Sequence, residues 1–194
     1  VVKTIVGNHD SGLDFLVGPT TPEEAEVVTP AVIGAALDVL RERYEYVVID
    51  MPHDFSEVSL LALDRADEIM LMIAPEMASV RAAAAAMGTY QKLGYDMSKV
   101  KLVMNNIFKQ PGLQPKQIEK ALVTSLNLTV PYASQQFLNA INLGQPFLFT
   151  EPMPKMAEWF EVVAFRMSKD SHTASPPAVP SESWQRVTKR IKRK

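Results

Sequence analysis

A doubly wound α/β fold built on a mostly parallel sheet is predicted by three features of this 194-residue sequence. Short apolar runs recur at 46–50, 69–73, 100–104 and 126–130. Segments with apolar residues at helical spacing separate them. The runs are apolar throughout instead of alternating, which marks strands buried on both faces, as in parallel sheets covered by helices on each side. The composition agrees: 47% hydrophobic and 22% charged residues is the balance of a globular protein with a core.

The elements follow in order. Thr29-Pro30 reads as a helix start, with threonine as cap and proline at the first helical position, where its missing N–H costs nothing. Val32, Ile33, Ala36, Leu37 and Leu40 carry that helix to Arg43. Tyr46-Val-Val-Ile-Asp50 is expected to be a buried strand ending in an acid. Ser56 caps a helix bearing Leu60, Leu61 and Leu63, and the 69–73 strand closes at Pro75. Ser79 is the expected start of an alanine-rich helix ending at Gly94. A strand at 100–104, a helix opened by Pro115, a strand at 126–130 and a helix at 134–143 stopped by Gly144 come next. Pro154 precedes a helix bearing Met156, Trp159, Phe160, Val163 and Met167, whose aromatics are expected to be core or packing residues instead of a recognition stripe. Residues 170–183, rich in Ser, Pro and Ala, are expected to be a structureless linker. The domain expectation is therefore 1–168 globular, 169–183 linker and 184–194 tail.

Several classes of function fall away. The chain has no cysteine, which removes disulfides, thiolate metal sites and cysteine nucleophiles. His9, His53 and His172 show no metal-ligand spacing. There is no Gly-x-Ser-x-Gly elbow and no Gly-x-Gly-x-x-Gly. No apolar stretch approaches the roughly 20 residues of a membrane span, and the residues from Val1 onward lead us to expect no secretory signal. A start at Val1 leads us to expect an upstream segment. The net charge of −2 conceals an asymmetry: six of the twenty basic residues lie in 184–194, leaving a body of −8 and a tail of +6. The acidic body disfavours nucleic acid as a partner.

In open parallel sheets ligands bind at the carboxyl ends of the strands, so the residues just after each run are the first candidates. Asp50, at the end of an apolar run, sits where P-loop NTPases place a carboxylate near Mg²⁺, usually through water. The plain alternative is an aspartate capping the next turn. Asn105 and Asn106 follow the 100–104 run and can equally be strand-to-loop caps. Glu76 after Pro75 can be an exposed loop acid.

Together, Tyr46 to Pro52, Asp64-Arg-Ala-Asp-Glu-Ile69, Ile73-Ala-Pro-Glu76, Ser79-Val-Arg81, Val103-Met-Asn-Asn106, Val130-Pro131 and Asn139 to Pro146 resemble, in order and spacing, the MinD/ParA family of P-loop ATPases. Asp50 to Glu57 and Ser11 to Gly18 are most similar to the CpaE/TadZ branch, which serves Flp-type pilus assembly. The resemblance covers 11–148. It implies an incomplete SIMIBI-type P-loop NTPase fold, with ATP and Mg as cofactors of the complete protein. Asp50 would be the Walker B acid, and Pro52, His53, Asp54 and Phe55 the switch that senses the γ-phosphate. Asn105 or Asn106, and the main chain after Pro131 at Tyr132, would reach adenine. Glu76 would touch nucleotide or a dimer partner. Ala82 stands where MinD-type proteins carry an acid after the arginine, which breaks with any MinD-like partner contact there.

The departure is at the front. A Gly-x-x-x-x-Gly-Lys-[Ser/Thr] loop, whose backbone N–H groups cradle phosphates, occurs nowhere in the sequence. Lys3-Thr4 offers only the closing dipeptide, without the glycine and without a following helix pattern. By the resemblance, the phosphate loop and a central first strand precede this region, and a chain without them would be marginally stable and would not hydrolyse ATP alone. Trp184, Val187 and Ile191 fall at i, i+3 and i+7 among Arg186, Lys189 and Arg190. The end is expected either to be a disordered, solvated basic tail or to form an amphipathic helix for an anionic membrane surface, as MinD proteins do; nonspecific DNA contact is a third reading. The expected function is an ATP-dependent dimerisation and localisation switch, cytoplasmic and peripheral at the inner membrane face, working as a homodimer with pilus assembly proteins. The alternatives are a nucleotide-free interaction module of the same fold and a ParA-like DNA-partitioning ATPase.

Overall fold

A computed structural model describes residues 6–110, 112–150 and 153–192; the Lys3-Thr4 dipeptide and the last two basic residues, Arg193 and Lys194, lie outside them. The chain divides into two compact units, Val1–Ile69 and Met70–Lys194.

The first unit opens with a small antiparallel hairpin, β1 (Gly7–Asn8) and β2 (Asp14–Phe15), in which Gly7 faces Phe15 and Asn8 faces Asp14. Helices α1 (Pro22–Glu26), α2 (Pro30–Arg43) and α3 (Glu57–Arg65) follow. α2 begins where the sequence puts it: the Thr29 hydroxyl accepts from the Val32 N–H at 3.3 Å and proline takes the first position. α2 and α3 bury Leu37 and Ala62. Gly34 permits their approach, because a Cβ there would lie 3.3 Å from Arg65 Nη2. Arg65 Nε reaches Asp38 at 3.1 Å, and Arg41 Nη1 donates to the Arg65 carbonyl at 2.9 Å. The Tyr44 hydroxyl, just past α2, donates to Asp14 in the hairpin.

One expected strand is corrected. Residues 46–50 form no strand, and Val47, Val48 and Ile49 are exposed, Val48 to 95%. A strand is made by ladder bonds from a neighbour, and among the described residues the parallel ladder runs through other segments only. Apolar, β-branched composition without such a neighbour leaves the run uncovered.

The second unit holds a three-stranded sheet in the order β3 (Ile69–Ile73), β4 (Val100–Asn105), β5 (Leu128–Val130). β4 and β5 are parallel, with Val103 opposite Leu128 and Asn105 opposite Val130. The predicted 126–130 strand is shorter because Asn127 joins β4 differently: its carboxamide oxygen accepts from the Leu102 N–H at 2.8 Å and its own N–H reaches the Leu102 carbonyl at 2.9 Å. Around the sheet lie α4 (Met77–Lys92), α5 (Pro115–Leu122), α6 (Ser134–Leu143) and α7 (Lys155–Met167). Leu102 and Val103 point to opposite faces of β4 and both are buried, the sign of a strand covered on each side. Val103 meets Val130, Ala133, Met156 and Ala157, with Phe137, Trp159 and Phe160 against them. Leu102 shares the other face with Met87 of α4 and Leu122 of α5, beside a cleft of about 390 Å³. Trp159 and Phe160 of α7 are half-buried and pack against this core, in line with the expected packing role: they meet edge to face at 5.0 Å, and Phe160 meets Phe137 at 6.2 Å.

The end of the chain also departs from expectation. Within the expected linker lies a short helix, α8 (Asp170–Ala174), and the basic end is not disordered over its described part. It forms α9 (Glu182–Ile191), capped by Ser181, and lies against α7 with Val187 only 2% exposed. Of the apolar stripe, Val187 is buried, Trp184 half-buried and Ile191 exposed, and that burial helps to offset the entropy of ordering that a solvated tail retains.

Candidate functional site

The carboxyl edge of the sheet gathers most of the residues singled out in the second unit. β4 ends at Asn105, which pairs in register with Val130, the last residue of β5. Asn106 follows, and its backbone N–H and side-chain Nδ2 both donate to the Val130 carbonyl, at 3.2 and 3.0 Å. Pro131 and the exposed Tyr132 continue directly from that carbonyl. Asn105, Asn106, Pro131 and Tyr132 thus form one cluster at the ends of two parallel strands. Their roles differ: the Asn106 carboxamide ties the strand ends, whereas that of Asn105 makes no hydrogen bond among the described residues.

β3 contributes the second part of the edge. The chain leaves Ile73 through Ala74 and the buried Pro75 and enters α4 after Glu76, an exposed N-cap residue whose side chain makes no capping bond. Ser79 was expected to start this helix. The helix instead starts at Met77, and the Ser79 hydroxyl accepts from the Ala74 N–H at 2.9 Å, holding the strand end onto the first turn. The loop after Asn106 crosses the same point. Leu113 N–H donates to the Pro75 carbonyl at 2.8 Å, and a Cβ on Gly112 would stand 2.2 Å from that oxygen. Sequence reasoning missed Ser79 and Gly112 as positioning residues, although the Pro111-Gly112 pair is itself a turn signal. Residues 139–146 form the end of α6 and its stop, with Gly144 at φ +61°. Ala140, Ile141, Pro146 and Leu148 line a shallow apolar cleft of about 300 Å³ there.

In the first unit, Asp50 is exposed and belongs to the run that forms no strand, so the strand-end setting expected for it is not present. Of the expected switch residues Pro52, His53, Asp54 and Phe55, it is Asp54 that organises the local chain. Its Oδ1 accepts from the fully buried Ser59 hydroxyl, from the Ser56 hydroxyl at 2.9 Å and from the Ser56 N–H at 3.1 Å. These donors, Ser59 first, hold its carboxyl below the usual aspartate range. In the tail, Val187 is buried, Trp184 donates its indole N–H to the His172 carbonyl, Ile191 is exposed, Arg186 and Arg190 are paired with Glu161 of α7, and Lys189 is exposed.

No known protein-family model matches the chain. It is 25% identical over 134 residues to the septum site-determining protein MinD of Emiliania huxleyi, covering 64% of this chain and 46% of that one. It is 23% identical over 141 residues to the MinD of Synechocystis, with 68% and 50% covered. The chain therefore spans about half the length of the curated relatives it matches. Among solved structures, the ParA family ATPase of Chlorobium tepidum superposes with a TM-score of 0.74 at 18% identity, over 81% of this chain and 64% of that one. The MinD of Pyrococcus horikoshii, complexed with Mg-ADP, gives 0.75 at 16%, over 91% and 72%. The fold is that of the MinD/ParA-type ATPases. On this MinD/ParA-type frame, the residues present fit the base end of a nucleotide: the Asn105 carboxamide offers a donor and an acceptor at the sheet edge, beside exposed main chain at Pro131-Tyr132. The sequence carries no Gly-x-x-x-x-Gly-Lys-[Ser/Thr] loop.

Proposed function

We propose that this chain is the downstream portion of a CpaE/TadZ-like ATPase, a nucleotide-dependent dimerisation and localisation switch in pilus assembly. What carries the nucleotide part of this reading is the convergence of Asn105, Asn106, Pro131 and Tyr132 at one carboxyl edge of the sheet. Asn105 meets adenine, Asn106 positions it, and the main chain at Pro131-Tyr132 closes the base site. Glu76 faces nucleotide or the second protomer of a homodimer. In the complete protein Asp50 would hold Mg²⁺ through water and residues 52–55 would sense the terminal phosphate of ATP, which when bound supplies the hydrolysable phosphoanhydride. The complete protein alternates between a nucleotide-bound dimer and a released form. α9 gives it a peripheral hold on an anionic membrane at the cytoplasmic face. The pilus assignment is supported by the likeness of residues 50–57 and 11–18 to the CpaE/TadZ branch.

The test is equilibrium binding of ATP and GTP, with Mg²⁺, to the complete protein and to Asn105→Ala. Loss of a base hydrogen bond is expected to weaken ATP by about tenfold, the equivalent of ~1.4 kcal/mol. Equal affinity for ATP before and after the substitution would remove Asn105 from the site. Asp50→Ala is expected to abolish Mg-dependent turnover of the complete protein. If the complete protein binds no nucleotide at all, the nucleotide-free interaction module is the correct reading, a possibility kept open by a sequence without the Gly-x-x-x-x-Gly-Lys-[Ser/Thr] loop.

A further inference from the structure

β4 runs from Val100 to Asn105, a span of about 16 Å at strand rise, so the residues around its start lie at the opposite end of the sheet from the candidate nucleotide site. A cleft of about 390 Å³ opens there. The buried Val100 and Leu102, Met87 of α4 and Leu122 at the end of α5 give it an apolar lining, and Met97, in the turn before β4, completes it. Methionine side chains bend to fit what they meet, so a cleft with two of them accepts apolar groups of varied shape. No aromatic side chain lines it among the described residues.

The chain around this cleft is basic although the body of the protein is acidic. Residues 91–101 and 119–124 hold four lysines, Lys92, Lys99, Lys101 and Lys120, against two acids, Asp96 and Glu119. Lys92 follows the lining residue Gln91, and Lys99 and Lys101 flank Val100. Lys101 Nζ donates to the Ser98 carbonyl at 2.9 Å, which keeps it beside the Met97 turn. Both acids are engaged by donors of their own loops. Asp96 accepts from the Ser98 N–H at 2.9 Å and hydroxyl at 2.7 Å, and Glu119 Oε1 accepts from the Leu126 N–H at 3.0 Å. One lining residue is also held under strain. Val123 sits at φ +54° and is 90% exposed, so no burial among the described residues rewards a β-branched side chain for the left-handed backbone. Strain of this kind gathers where a protein meets a ligand.

We propose that this cleft binds an acidic segment of a partner protein: one large apolar side chain enters between α4 and α5 against Leu102 and Met87, Val123 packs on its outer side, and aspartate or glutamate residues beside it meet Lys92 and Lys120. Charge complementarity selects an acidic partner over a basic one. A nucleic acid matches less well, since phosphates gain nothing from Met87, Met97 and Leu122, and the lining offers no ring on which a base could stack. The site lies apart from the carboxyl edge of the sheet and is independent of the nucleotide reading.

The experiment measures fluorescence anisotropy of a labelled synthetic peptide, a central leucine between two runs of glutamate, with the full-length protein. Saturable binding that weakens as salt rises is expected. A peptide with glycine in place of the leucine is expected to bind about tenfold more weakly, since it puts no side chain into the cleft. Lys92→Glu combined with Lys120→Glu is expected to weaken the leucine peptide by about tenfold or more, because like charges then face each other. Val123→Gly, at an exposed site, removes the outer wall and is expected to weaken binding several-fold while the thermal midpoint holds or rises. Loss of affinity without loss of stability separates a binding role from a structural one. Equal affinity for the leucine and glycine peptides leaves only charge attraction and overturns the cleft. Displacement of the peptide by duplex DNA of equal charge overturns the protein partner in favour of a nucleic acid. No peptide binding at low salt overturns the proposal outright. ATP affinity is expected to be the same in wild type and variants, and it reports separately on the ATPase reading.

Discussion

Asn106 and Val130 lock two strand ends together, the asparagine donating through both its backbone N–H and its carboxamide to one carbonyl oxygen. Asn105, one residue earlier, sits in the ladder but leaves its carboxamide unengaged among the described residues. The two neighbours therefore answer different questions. Asn106→Ala is expected to cost about 1 kcal/mol of stability, one side-chain hydrogen bond to a partly buried carbonyl, with nucleotide affinity falling as a consequence. Asn105→Ala is expected to leave urea unfolding unchanged while affecting nucleotide. Equal stability losses in both variants would show that neither is reserved for a ligand.

Gly112 is required by contact. Alanine there drives a Cβ to 2.2 Å from the Pro75 carbonyl oxygen, a backbone atom that cannot turn aside. Gly112→Ala is expected to break the Leu113–Pro75 hydrogen bond and destabilise the fold by about 1–3 kcal/mol. At roughly 2–4 °C per kcal/mol for a chain of this size, thermal unfolding detects it readily. An unchanged midpoint would mean that the loop does not cross β3 as described.

Val123 is strained for the opposite reason. It ends α5 in the left-handed region, at φ +54°, with its side chain 90% exposed. A β-branched residue gains nothing there by burial and carries the steric penalty that glycine escapes. Val123→Gly is expected to stabilise by about 0.5–1 kcal/mol in urea titration, the released strain outweighing the added freedom of the unfolded chain. A destabilised variant would point to a role for the exposed valine.

Asp54 gives the chain an acid-sensitive point. Its folded carboxyl is held below the ordinary value by Ser59 and Ser56, whereas in the unfolded chain it titrates near about 3.9. A depressed folded value means that the carboxylate's contribution to stability is fully present above the unfolded value and is lost as pH falls through the folded one. Asp54→Asn is therefore expected to be less stable than wild type at neutral pH. The gap should close below about pH 4 in acid unfolding followed by circular dichroism. A constant gap at all pH values would assign it to lost hydrogen-bond geometry instead of charge.

Much of this architecture could be read locally. Thr29-Pro30 starts α2 and Gly144 stops α6 because a cap and a left-handed stop depend on a few adjacent residues. The strand at 100–104 was legible because a parallel strand buried on both faces leaves a continuous apolar run; the run at 69–73 also forms a strand, but contrary to expectation one face of it, with Met70 and Met72, is exposed. The run at 46–50 has the same signature but forms no strand, since pairing belongs to a neighbour that the run itself does not encode. The end of the chain misled in the other direction. Its basic composition looks solvated, and only the Glu158 and Glu161 spacing on α7, set against Arg186 and Arg190, hints at a docking surface. In the candidate site, Asn105, Asn106, Pro131 and Tyr132 were visible as residues following apolar runs. Ser79 on Ala74 and Gly112 against Pro75 were not, because those contacts join loops brought together by folding.

The uncovered run at 46–49 has a practical corollary. Tyr-Val-Val-Ile is a string of strong strand formers without charge, proline or glycine, and Val48 stands 95% open. Two chains meeting through such segments can pair backbone to backbone and recruit a third, the first steps toward cross-β aggregate. Expression at high level is expected to drive the chain into inclusion bodies in proportion to its concentration. Val48→Lys places a charge in the middle of the sticky segment and should keep the chain dispersed. The same lysine becomes intolerable once the run is buried inside a sheet. Whether it rescues solubility or ruins folding thus reports where this segment ends up in the cell.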